Sequence, residues 1–125
     1  MIKEIEAGTL LNSFGGIRAL RAVKAEDYPN WEMVRPITRF FNSVREFEEI
    51  WEGIQKQING TYKDKMAPDG SLPPGVILER NEEFSVAKKQ KYGIEIPGLK
   101  FEDMKKIGLT VGDIADLDSL GFFDD

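Results

Sequence analysis

The chain has 125 residues, 41% of them apolar, a size suited to one domain with a single hydrophobic core. Its 22 acidic and 17 basic residues leave a net charge of −5, which opposes a broad phosphate-binding face and disfavours a generic DNA or RNA binder. Cysteine and histidine are absent, so disulfides, thiolate nucleophiles, imidazole bases and the nitrogen and sulfur metal ligands are excluded together.

Residues 1–5 read as a short edge strand. The opening MIKEIEAGTLLNS mixes acids with short apolar groups, unlike a signal or transit peptide, and no apolar run approaches the roughly 20 residues of a membrane span. These features lead to the expectation of a soluble protein, located in the cytoplasm of a bacterial host or associated with a virion, with no membrane contact. Across 6–23, Leu10, Leu11, Phe14, Ile17, Leu20 and Val23 recur at helical spacing, interrupted by Gly15 and Gly16. Two glycines there suggest a kink or a close backbone crossing against the long helix that follows. Arg18, Arg21 and Lys24 form a basic strip, read first as a solvated face.

The dominant segment is 30–60. Met33, Ile37, Phe40, Val44, Phe47, Trp51, Ile54 and Ile58 alternate between steps of four and three, so they form one seam along one helix. Asn30 is a plausible N-cap, and Pro36 places the regular helix near Arg35 or sets 31–35 apart as a separate turn. Val34, Phe41 and Ile50 widen the stripe, and Asn59 with Gly60 reads as its stop.

Residues 61–75 contain APDGSLPPG and read as a flexible Pro/Gly loop, with Pro73 and Pro74 weighing against helix. Residues 76–78 and 94–96 suit two short strands that pair as a ribbon. Between them Asn81 is positioned to cap a surface helix over 82–91. Residues 99–107 promise only something short. At the end, Thr110 and Asp113 match a capping box, Val111, Ile114, Leu117 and Leu120 form a stripe, and Gly121 closes a last helix.

No pattern carries a complete chemistry. Asp113, Asp116, Asp118, Asp124 and Asp125 are the densest carboxylates, but they lack the spacing of an EF-hand and read as dipole complement and acidic tail rather than as a magnesium or calcium site. Glu46, Glu48, Glu49 and Glu52 crowd the outer side of the long helix, with Lys56 four residues after Glu52. Gly15 and Gly16 lack the further residues of a phosphate-binding loop. Neither a cofactor nor a catalytic residue is expected. The candidate partner-binding residues are Trp31, Glu48, Glu49, Glu52, Phe122 and Phe123. Trp51 is assigned to the core, and for the terminal Phe122 and Phe123 a core role is weighed above an exposed one.

The order AGTLLNS, REFEEIWEGIQKQING, a PDG turn, GIEIPGLKFEDM and LTVGDIADLDSL resembles a family of small uncharacterised bacteriophage (siphophage) accessory proteins. The resemblance implies phage origin and a non-enzymatic accessory role, and it transfers no site residue. The expected fold is mostly α with a small β element (α+β), a single domain over 1–125. A long central helix is packed by N- and C-terminal helices beside a short two-stranded ribbon. The expected function is protein binding, by contact with a host or phage protein. The alternative is a structural or assembly protein of the phage head or tail, self-associating as a homo-oligomer through the long helix.

Overall fold

In the computed structural model residues 1–124 are described, and Asp125 of the acidic tail lies outside the described residues. The elements in order are β1 (Ile2–Glu6), α1 (Ala7–Asn12), α2 (Phe14–Arg21), 3₁₀ turns at Ala25–Asp27 and Trp31–Met33, α3 (Val34–Lys63), α4 (Pro74–Lys88), β2 (Lys91–Glu95), α5 (Phe101–Met104), a 3₁₀ turn at Lys105–Ile107 and α6 (Val111–Ser119). The fold is mostly α with a small β element. No helix among the described residues is long and apolar enough to cross a membrane.

Helix α3 has 30 residues, about 45 Å of length, and buries the expected seam: every position is buried except Ile54, which is half-buried. Of the widening positions, Val34 and Phe41 are half-buried while Ile50 faces solvent. Asn30 caps the entry turn, its Oδ1 accepting the Glu32 amide at 3.0 Å, and Pro36 falls in the first turn of α3, where its missing N–H costs no hydrogen bond. The helix does not stop at Gly60. Tyr62 continues the seam four residues beyond Ile58 and is buried, which offsets the roughly 1 kcal/mol disadvantage of an exposed helical glycine.

Different parts of the chain cover the seam. Tyr92 of β2 meets Phe47 edge-on, Phe14 of α2 packs on Phe47, Phe84 of α4 on Trp51, and Phe122 on Phe40. The seam is therefore buried inside one chain, and a second copy meeting α3 would have to use its other faces.

The ribbon is present but its partners are not 76–78 and 94–96. Strand β1 pairs antiparallel with β2, with Ile2 opposite Glu95 and Glu6 opposite Lys91. Val76, Ile77 and Leu78 instead belong to α4, which starts with Pro74 at its first position, where proline's fixed φ favours helix. Asn81 is consequently mid-helix. The loop shrinks to 64–73 and carries an internally bonded turn, with Ala67 N–H donating to the Ser71 carbonyl and Asp69 Oδ1 accepting from the Ser71 amide and hydroxyl.

The expected single helix over 6–23 is broken at Ser13 into α1 and α2. Ser13 is buried, and its Oγ lies 2.9 Å from both the Thr9 carbonyl and Ser119 Oγ, which itself reaches the Asp116 carbonyl. With one proton on each hydroxyl, only two of these three contacts are hydrogen bonds at any moment. The close crossing foreseen at the glycines is made with α6, not α3. A Cβ on Gly16 would lie 2.5 Å from the Asp113 carbonyl oxygen and 2.7 Å from Asp116 Cβ. The Gly16 amide, an orphan in the first turn of α2, donates to Asp116 Oδ2 at 2.9 Å. The α6 caps are those expected: the Thr110–Asp113 capping box, and Gly121 at φ +72° in a Schellman motif, with Gly121 and Phe122 amides donating to the Asp118 and Leu117 carbonyls.

Glycine substitutions separate these environments. Gly16→Ala is expected to destabilise by about 1–3 kcal/mol, because the clash is with backbone. Gly53→Ala, whose Cβ meets nothing within 4 Å on an exposed face of α3, is expected to stabilise by about 0.5–1 kcal/mol. Urea midpoints of the two variants check both signs.

Candidate interaction surface

The six residues proposed from sequence fall into three separate places. Trp31 sits on the 3₁₀ turn leading into α3. That turn is held at one end by the Asn30 cap and at the other by the buried Met33, with the Met33 amide donating to the Asn30 carbonyl. On this fixed base the indole is 81% exposed. It does not share a buried environment with Trp51, which is 6% exposed within the seam.

The glutamates lie about 21 Å or more further along α3. Glu48 is paired with Arg21 of α2, whose guanidinium also lies over the Phe41 ring, so one member of the basic strip ties α2 to α3. Glu52 pairs with Lys56 at 3.2 Å, as the spacing of four predicts. Glu49 is exposed. Such exposed pairs contribute about 0–1 kcal/mol each.

Phe122 does not belong to any surface. It is fully buried, edge-on against Phe40, because the Schellman turn after Leu120 directs it back into the core. Phe123 is half-buried and, with Phe101, Val111 and Ile114, walls a cleft of about 360 Å³. Two of the C-terminal aspartates serve backbone groups: Asp113 completes the capping box and Asp116 caps α2. No gathering of three or more carboxylates fit to hold a metal occurs among the described residues.

The structure adds residues that sequence reasoning missed. Met1 and Ile2 are 73% and 67% exposed, and both line recesses against the first turns of α3. Met1 faces Pro36 and Arg39, and Ile2 faces Arg39, Asn42 and Glu46. Their placement follows from the β1–β2 register, in which Ile2 lies opposite Glu95 and its side chain covers Gly93. Nothing local in the sequence signals that register. The N-terminal end of α3 thus carries an exposed tryptophan and an arginine, residue types enriched among those that dominate binding energy, together with the exposed apolar side chains of Met1 and Ile2.

At the other end of α3 lies a larger concavity of about 570 Å³, between the last turns of α3, the 64–73 loop and α4. Tyr62 forms part of its floor. Its hydroxyl is pushed above the ordinary tyrosine range, first by loss of hydration and then by the nearby carboxylates of Glu83, Glu79 and Glu82. Burial pushes the Tyr28 hydroxyl up as well.

Two measurements follow from these environments. Acrylamide is expected to quench the Trp51→Phe variant, which emits from Trp31, far more strongly than the Trp31→Phe variant. Equal quenching would mean that Trp31 is covered. A raised folded pKa keeps its stabilisation below the unfolded value near pH 10 and loses it as pH rises through the folded value. Phenolate absorbance should accordingly appear at higher pH in the folded than in the urea-unfolded protein, and stability should fall above about pH 10.

Comparison with known proteins adds no relative to this geometry: no family model, no curated protein and no solved structure matches the chain.

Proposed function

We propose that this chain is a non-enzymatic, phage-encoded protein-binding module that inhibits or redirects a host system by direct contact with a host or phage protein. The observation that carries the reading is Trp31, a large apolar side chain left 81% exposed on a turn fixed by the Asn30 cap and by buried Met33. An indole held this way has little conformational entropy to lose on docking, and burying it in a partner gains the transfer energy of a large apolar surface. Arg39, beside Met1 and Ile2 at the same end of α3, supplies a charged rim of the kind that orients a partner. The phage assignment rests on the resemblance of the segment order and not on this surface.

The test is affinity capture from infected and uninfected host lysate, with wild type, Trp31→Ala and Arg39→Glu compared at matched amounts. Trp31→Ala is expected to remove the retained protein, a loss of about 2 kcal/mol or more of binding energy, while the melting temperature stays within a degree or two. Retention unchanged by both variants would sink the assignment of this surface.

A further inference from the structure

The concavity at the C-terminal end of α3 lies about 40 Å along the helix from Trp31, so it is a separate site from the surface above. Its charged wall residues are Lys56, Lys63 and Arg80, and no carboxylate lines it. The chain as a whole carries a net charge of −5, so this wall runs against the protein's own balance. Of the neighbouring acids, Glu79 pairs with Lys65 at 3.8 Å, and Glu52, outside the cleft, pairs with the wall residue Lys56 at 3.2 Å. Among the described residues neither Lys63 nor Arg80 pairs with a carboxylate.

The apolar part of the wall is Tyr62, Met66 and Leu72. Loop closure places the latter two there. Gly70, at φ +85°, turns the chain back, the Asp69–Ser71 contacts brace that turn, and Pro73 and Pro74 lead directly into α4. The bracing is electrostatic, since the Ser71 hydroxyl and amide hold the Asp69 carboxyl below its usual range. One face of the cleft stays open, because Lys56, Asn59, Gly60 and Lys63 are exposed. A small molecule gains affinity by near-complete enclosure, which an open trough does not provide, whereas an extended peptide needs only one side. From Lys56 to Lys63 the trough runs about 10 Å along α3, the length of roughly three residues of extended chain.

We propose that this cleft binds an acidic peptide segment of a partner protein, with an apolar side chain seated on Tyr62, Met66 and Leu72 and flanking carboxylates directed to Lys63 and Arg80. The complementarity is of both kinds, apolar floor to apolar side chain and cationic rim to carboxylates.

Gly60 supplies a test that does not disturb folding. It lies in the cleft wall, and a Cβ there meets nothing within 4 Å, so Gly60→Phe fills the trough while removing a glycine from a helix. The probe is a short fluorescein-labelled peptide with glutamates flanking a central leucine pair, followed by fluorescence anisotropy against the full chain, with the glutamine version as control. The acidic peptide is expected to bind and to weaken about tenfold as salt is raised from ~50 to ~500 mM. Lys63→Glu combined with Arg80→Glu should weaken it at least tenfold, and Gly60→Phe should abolish it with an unchanged or raised melting temperature. Equal binding of the glutamine peptide, indifference to both variants, or full displacement by millimolar inorganic phosphate would each overturn the proposal.

Discussion

A helix of 30 residues with one continuous apolar seam is the constraint on which the rest of this molecule depends. At about 45 Å it is longer than any single partner element in the chain, so no one helix or strand can keep water from it. The seam is instead closed in sections. The ribbon and the α2 aromatic take the region of Phe47, α4 takes the region of Trp51, and the turn after α6 delivers Phe122 onto Phe40. Each buried aliphatic or aromatic side chain contributes about 1.5–3 kcal/mol, and that burial compensates for covering elements that are short and weak as isolated structures.

The covering elements are held to one another by backbone proximity more than by side-chain bulk. Where α2 crosses α6, a glycine lets the Asp113 carbonyl approach, and a carboxylate from α6 satisfies an amide that the end of α2 leaves open. Two aspartates of α6, Asp113 and Asp116, are thereby committed to hydrogen bonds with backbone groups. Carboxylates that dense in sequence suggest an ion site, yet folding has already assigned Asp113 and Asp116 to donors that would otherwise be orphaned.

Because the middle of α3 is enclosed, its two ends are left to differ. The N-terminal end presents Trp31, Met1, Ile2 and Arg39, and the C-terminal end presents a cationic trough floored by Tyr62, Met66 and Leu72.

Features of this fold governed by near neighbours in the chain were legible in the sequence. The α3 seam follows from a period of 3.6, the Asn30 cap and the Thr110–Asp113 box from side chains reaching amides two or three residues on, and the Gly121 stop from the left-handed backbone a Schellman turn requires. The Glu52–Lys56 pair and the burial of Trp51 belong to the same class. Features that depend on distant contacts were not legible. A run of Val76, Ile77 and Leu78 suits a strand as well as a helix, and only docking of Phe84 on Trp51 and burial of Ala87 select helix α4. Gly60 reads as a stop until Tyr62 has a buried place to occupy. β2 takes β1 as its partner, from more than eighty residues away, and this pairing brings Met1 and Ile2 beside Arg39. For the candidate surfaces, the sequence by itself singled out Trp31 but grouped it with glutamates and phenylalanines that the structure separates. Composition and period determine which side chains must leave water, whereas only the tertiary packing decides which of the remainder stand together, since that depends on contacts no local rule encodes.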